Sequence, residues 1–223
     1  MSKTAIVLGA TGLTGSLLLE KLIADTSYEK IKLFSRNSVH KSSTKIEEYL
    51  IDLFKLETYK DFFTGDTVFC CIGTTASKTK NKEVYKAIDY GIPVNAAKLA
   101  TKNNIKTFVV VSSMGANASS SIFYNKTKGE MERDVLKQNI KNTYILRPSL
   151  IGGNRDELRI GEKIGKVIMS LLRPFFLGPL KKYKIISPEN IVGCMQKLAK
   201  SEVYQSIFSS DEIVKIADLN KNK

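Results

Sequence analysis

From residue 4 to residue 147 the chain alternates short, nearly unbroken apolar runs with stretches of helical period. Strands are expected at 4–9, 31–34, 48–52, 67–73, 108–113 and 143–147. Helices are expected at 13–24, 56–63, 81–102 and 124–138, the third disturbed by Gly91 and Pro93. Leu13, Leu17, Leu18, Leu22 and Ile23 give the first helix its apolar face. Runs such as Phe108-Val109-Val110-Val111 have no polar alternation, so both their faces must be covered. Helices on both sides of a parallel sheet satisfy that requirement. The predicted fold is therefore α/β, a doubly wound parallel sheet in three layers, α/β/α. With 223 residues and no linker or repeat, one domain spanning 1–223 is expected.

The turn after the first strand sharpens this expectation to a Rossmann-type fold. Gly9-Ala10-Thr11-Gly12-Leu13-Thr14-Gly15 follows a strand, opens a helix and has the spacing G-x-x-G-x-x-G. Missing Cβ atoms at Gly9, Gly12 and Gly15 let the backbone turn tightly, approach a pyrophosphate and pack helix on strand. The helix N-terminus adds N–H groups and a positive dipole end. A purely structural βα turn is the competing reading. An acidic residue ending the second strand would mark NAD. Here Ser35-Arg36-Asn37 stands there, with Lys41 soon after and no carboxylate between Lys30 and Lys45. Arg36 offers a fork of donors to a 2′-phosphate, so NADPH is the expected cofactor, NADP preferred over NAD.

Tyr124-Asn125-Lys126-Thr127-Lys128 contains Tyr-x-x-x-Lys at a helix start, which puts Tyr124 and Lys128 on one face. An ammonium near a phenol favours the phenolate, which suits tyrosine to proton exchange with a carbonyl or alcohol oxygen. Lys128 also suits the ribose beside the nicotinamide. Ser112 and Ser113 end the fifth strand, at the edge where ligands bind in such sheets. Either serine fits as the hydrogen-bond partner of a substrate oxygen.

The formal charge of +13 is spread over single and paired lysines without interleaved aromatics, so nucleic acid is not the expected partner. Three cysteines and one histidine, with no C-x-x-C pair, argue against a metal centre and for reduced core thiols. No apolar run suits a signal peptide or a membrane span, and a cytoplasmic protein is expected. Residues 151–187 are read as a substrate-pocket or lid segment. Within them, 164–182 carries Phe175-Phe176 between basic residues, a possible contact with a membrane surface or a protein. Ordinary core packing competes with that reading. The tail, 214–223, reads as polar and frayed. The expected partner is a small-molecule substrate, with the chain a monomer or homodimer.

Taken together, several motifs resemble the short-chain dehydrogenase/reductase superfamily in its atypical branch. They are similar to the Tat-interacting-protein-like oxidoreductases. The carriers are Gly9 to Gly15, Phe69-Cys70-Cys71-Ile72-Gly73-Thr74-Thr75, Ser112-Ser113-Met114-Gly115-Ala116, Tyr124 to Glu130 and Leu146-Arg147-Pro148. The resemblance implies that Thr11, Gly12, Leu13 and Thr14 touch the pyrophosphate, Arg36 the 2′-phosphate, and Asp52 the region of the adenine. It places Ile72 and Gly73 along the cofactor, Pro148 and Ile151 by the nicotinamide, and Tyr124 and Lys128 as the catalytic pair. The expected function is an NADPH-dependent oxidoreductase on a small carbonyl or alcohol. A cofactor-binding regulatory protein without turnover, or an epimerase or dehydratase using bound cofactor, are the alternatives.

Overall fold

A computed structural model describes residues 2–75, 77–152 and 184–219. Strands β1 (Lys3–Leu8), β2 (Tyr28–Ser35), β3 (Ile46–Leu50), β4 (Thr67–Cys70), β5 (Thr107–Val111), β6 (Asn142–Arg147) and β7 (Ile207–Ser209) join one sheet. Their order is β3-β2-β1-β4-β5-β6-β7, and every neighbouring pair is parallel. The chain runs outward from β1 to β3, then crosses to the other side of β1 and continues from β4 to β7. That reversal defines a switch point between β1 and β4.

The sheet is covered on both faces, as the unbroken apolar runs require. Ala5 and Val7 point into one core with Leu18, Leu19 and Leu22 of α1 (Leu13–Ala24). Helices α5 (Pro188–Leu198) and α6 (Ser210–Asp218) complete that layer through Ile191, Met195 and Ile213. Ile6 and Leu8 point into the other core, under the 3-10 helix Leu53–Tyr59 and helices α3 (Ile92–Lys102) and α4 (Phe123–Leu136). Cys70 and Cys71, adjacent in sequence, fall in opposite cores. The buried face of α1 is centred on Leu18, Leu19 and Leu22, while Leu13 sits at the cavity described below.

The disturbance expected in helix 81–102 is present. Helix 81–102 is α2 (Lys82–Lys86), a π-helical turn Ala87–Gly91, and α3. Pro93 lacks an N–H and cannot continue an i→i−4 ladder, so the irregularity falls just before it. One expectation needs correction: residues 214–218 of the tail read as frayed are the end of α6, where Ala217 is buried. Ser209 and Glu212 form a capping box that starts α6, and Ile213 of that helix is buried in the core. β7, only three residues long, carries no periodicity that a sequence could reveal.

Candidate active site

A cavity of about 950 Å³ opens at the carboxyl ends of β1, β2, β4 and β5, around the switch point. This is where open α/β sheets hold ligands, and the volume lies near the top of the range of about 300–1,000 Å³ for small-molecule sites.

The glycine turn forms one wall, and its three glycines do different work. Gly9 has φ +85°, and a Cβ there would stand 2.9 Å from the Cys71 carbonyl of β4's continuation. A Cβ on Gly15 would stand 2.1 Å from the Gly9 carbonyl oxygen. Both positions thus serve close packing of backbone on backbone. Gly12 donates its N–H to the Gly9 carbonyl at 3.0 Å, and a Cβ there would meet only ordinary contact at 3.4 Å. Gly12 is the N-cap of α1, with no side-chain cap and no acidic residue in the first turn. The helix therefore presents its first amides to the cavity, lined here by Gly9, Thr11, Gly12, Leu13 and Thr14. Gly15 lies behind this surface rather than on it.

Ser35 ends β2, and with Arg36 and Asn37 it lines the second wall. Among the described residues, no carboxylate pairs with Arg36. Lys41, five residues further on, lies 2.6 Å from Glu20 of α1. Glu48 of β3 reaches the same bend, accepting from the Ser38 hydroxyl and the Val39 N–H. Counting residues along β2 misses it, because the neighbouring strand delivers it. Asp52 lines the cavity beside Leu53 and Phe54, and its carboxylate caps the 3-10 helix by accepting the Phe54 N–H at 3.0 Å.

The far end is built from β4, β5 and α4. Tyr124 is the second residue of α4, 38% exposed, with its ring edge-on to Tyr85 at 6.2 Å. Lys128, one turn later, is buried and also lines the cavity. Its ammonium lies 2.8 Å from Oδ1 of Asp89, a fully buried residue of the π turn. Asp89 Oδ2 accepts the Thr74 N–H at 2.8 Å, which ties the turn to the loop after β4. Sequence reading pairs Lys128 with Tyr124 alone; the structure adds a carboxylate that balances its charge.

The two serines separate. Ser112 lines the cavity, and its hydroxyl donates to Glu132 at 2.5 Å. Glu132 is buried on α4, two turns beyond Tyr124, and accepts from Nε and Nη2 of Arg147 at the end of β6. That contact raises the Arg147 guanidinium pKa above its ordinary value. Ser113 is not among the lining residues, and its buried hydroxyl has no hydrogen-bond partner among the described residues. Ile72, Gly73 and Ile151 line the cavity, whereas Pro148 does not. The Pro148 carbonyl instead accepts the Met114 N–H at 2.9 Å. Ile151 bridges to Ile186; residues 153–183, including the 164–182 contact segment and most of the expected lid, lie outside the described residues. Asp89, Thr74, Thr79 and Glu132 are site or supporting residues that sequence reading passed over. An acid inside the apolar segment around Ala87–Ile92 was the available signal for Asp89.

Burial pushes the thiols of Cys70 and Cys194 up to about 11 and about 12, so these cysteines stay protonated at neutral pH. Arg147→Ala should strand the buried Glu132 carboxylate. Because Arg147 is partly exposed, the expected loss is about 2–3 kcal/mol, below the range for fully buried pairs. Chemical denaturation would measure it, and a loss under about 0.5 kcal/mol would show that the ion pair is energetically idle.

The parallel sheet, its strand order and the glycine turn at the switch point define a Rossmann-type α/β chain. A family profile described as HIM1 matches residues 21–178. The protein named "Protein FMP52, mitochondrial" of Candida albicans is 34% identical over 226 residues, covering 96% of this chain and 98% of that one. The chain belongs to this HIM1/FMP52 family. "Protein HTATIP2" of Rattus norvegicus is 31% identical over 169 residues, covering 74% of this chain and 69% of that one. It bears out the resemblance to Tat-interacting proteins. Among solved structures, MoeE5 in complex with UDP-glucose and NAD superposes with a TM-score of 0.68 at 17% identity, covering 98% of this chain and 82% of that one. That likeness supports the fold. The expectation of a cytoplasmic protein is overturned, because fungal relatives are named mitochondrial. The lack of a secretory-type apolar run says nothing of the amphipathic, Arg-rich kind of segment that directs import into mitochondria.

Proposed function

We propose that this chain is an NADPH-dependent oxidoreductase acting on a small carbonyl or alcohol, and that it works in mitochondria as its fungal relatives are named. One observation carries the reading. A single cavity runs from the uncapped N-terminus of α1 and Arg36 at one end to Tyr124, Lys128 and Ser112 at the other. A dinucleotide needs that span and that order of chemistry.

The residues present fit such a ligand. Amides from Thr11 to Thr14 offer hydrogen bonds and a positive dipole to a diphosphate. Arg36, with no carboxylate partner among the described residues, would take a 2′-phosphate. Asp52, Leu53 and Phe54 would flank the adenine, and Ile72, Gly73 and Ile151 the nicotinamide end. Bound nicotinamide would supply the hydride. Tyr124 would hold the proton exchanged with the substrate oxygen, while Lys128 orients the adjacent ribose. The Ser112 proton is already committed to Glu132, so this hydroxyl can only accept from a substrate without breaking that bond. A protonated alcohol suits it better than a carbonyl oxygen.

Calorimetry with NADPH and NADH, followed by fluorescence of NADPH mixed with a carbonyl panel, tests the proposal. Binding plus consumption supports it; binding with no consumption of any carbonyl favours the reading without turnover. The compensation of Lys128 by Asp89 is the observation on that side. Arg36→Ala should weaken NADPH about tenfold to a hundredfold and leave NADH within about twofold, on the scale of a lost charge-assisted contact. Equal weakening of both nucleotides would remove Arg36 from the 2′-phosphate.

A further inference from the structure

The bend that carries Arg36 is fixed on both sides of that residue. Before it, the Ser35 carbonyl accepts the Ile51 N–H at 2.8 Å, and the Ser35 hydroxyl donates to the Asn37 carbonyl at 2.8 Å. After it, Glu48 of β3 holds two consecutive residues. Its Oε2 accepts the Ser38 hydroxyl at 2.7 Å, and its Oε1 accepts the Val39 N–H at 2.8 Å. The Ser38 oxygen in turn accepts the N–H of His40, whose φ of +50° is a left-handed conformation uncommon outside glycine. The Val39 side chain packs on the core that holds Leu18 and Leu22. Arg36 stands between these anchors, exposed and lining the cavity. Glu48 is not among the lining residues, and each of its carboxylate oxygens already has a donor. A long side chain pays ordering entropy when it grips a ligand, and a backbone fixed beforehand lowers that cost.

We propose that Glu48 is a positioning residue that sets the preference for NADPH over NADH by acting through Arg36. It fixes the backbone from which the guanidinium reaches the 2′-phosphate and does not itself touch the nucleotide. The inference rests on the proposed nucleotide site, with Arg36 as its contact to that phosphate. The competing role for Glu48 is electrostatic, since a carboxylate close to a bound phosphate repels it. The two roles have opposite signs. Removing a clamp weakens NADPH, whereas removing a repelling charge strengthens it.

Calorimetry with NADPH and NADH on Glu48→Ala and Glu48→Gln separates them. The glutamine keeps an oxygen for the Val39 N–H and turns its amide donor toward the Ser38 oxygen, so both links survive without the charge. Glu48→Ala should bind NADPH about tenfold more weakly, the scale of one lost hydrogen bond to a charged group, and NADH within about twofold of wild type. Glu48→Gln should bind both within about threefold of wild type. Tighter NADPH binding in either variant, or equal weakening of both nucleotides in Glu48→Ala, overturns the inference. If Glu48→Ala does not fold, Ser38→Ala decides, because it removes one of the two links. A loss of about threefold or more confined to NADPH supports the clamp, and an unchanged NADPH-to-NADH ratio refutes it. In an Arg36→Ala background Glu48→Ala should weaken NADPH by less than about twofold more, because a residue that works through Arg36 has nothing left to position. A further tenfold loss there would place its action elsewhere and also overturn the inference. A wild-type protein that binds NADPH no better than NADH removes the role of Arg36 itself, and one that binds neither removes the nucleotide site. Both are separate results, read before any variant is made.

Discussion

Alanine at position 15 should cost this protein much of its stability and its nucleotide site together. On propensity alone Gly→Ala inside a helix is worth about 1 kcal/mol of stabilisation. The tertiary structure reverses the sign, because the new Cβ would stand 2.1 Å from the Gly9 carbonyl oxygen and 3.1 Å from the Ala10 Cα. Both are backbone atoms, so no side chain can swing aside. Helix α1 would have to lift off β1, losing the packing of Leu18, Leu19 and Leu22 on Ala5 and Val7. A loss of about 3 kcal/mol or more is expected, on the scale of severe overpacking. It corresponds to a fall in Tm of about 6–12 °C for a chain of this size. The same displacement would turn the first amides of α1 away from the cavity. Gly12→Ala is the matched control, since its Cβ meets only ordinary contact. It should keep the melting temperature within about 2 °C, a surface-like effect, while its methyl group intrudes where the diphosphate would lie. Thermal melting of the two variants decides the matter, and a Gly15→Ala protein as stable as wild type would contradict the packing described for this turn.

Tyr124→Phe should abolish turnover and change little else. The Tyr124 hydroxyl has no hydrogen bond among the described residues, and the ring keeps its edge contact with Tyr85 in either form. Stability should therefore stay within about 0.5 kcal/mol of wild type. Nucleotide affinity should stay within a few-fold, because the diphosphate amides and Arg36 are untouched. Loss of a positioned proton donor costs about 10²–10⁴ in rate. Single-turnover rates with saturating NADPH and an active carbonyl measure that step directly. A variant that turns over like wild type would return the proton transfer to another group lining the cavity.

Much of the site was legible because its chemistry is local. The glycine turn, Ser35-Arg36-Asn37, and Tyr124 with Lys128 are each read within a few residues, and all but Ala10 and Gly15 reach the same cavity. Errors arose where a neighbouring strand or helix intervened. Lys41 follows Arg36 closely in the sequence, but Glu20, on α1, pairs with it. Ser112 and Ser113 are indistinguishable as a dipeptide, yet alternate sides of an extended backbone separate them. One meets Glu132 and the cavity, and the other is enclosed. Asp89 is 39 positions from Lys128 in sequence, and the two meet because α4 packs across the π turn.

The amino-acid sequence by itself determined the doubly wound sheet, the place of the glycine turn and the helix face that carries Tyr124 and Lys128. Those features follow from periodicity and from backbone sterics, which act over a turn or two of chain. Only the tertiary structure decided how the charges are spent: Asp89 on Lys128, Glu132 on Ser112 and Arg147, Glu20 on Lys41. Electrostatic pairing depends on distance through space, and the crossings of a parallel sheet bring together groups that no local pattern connects.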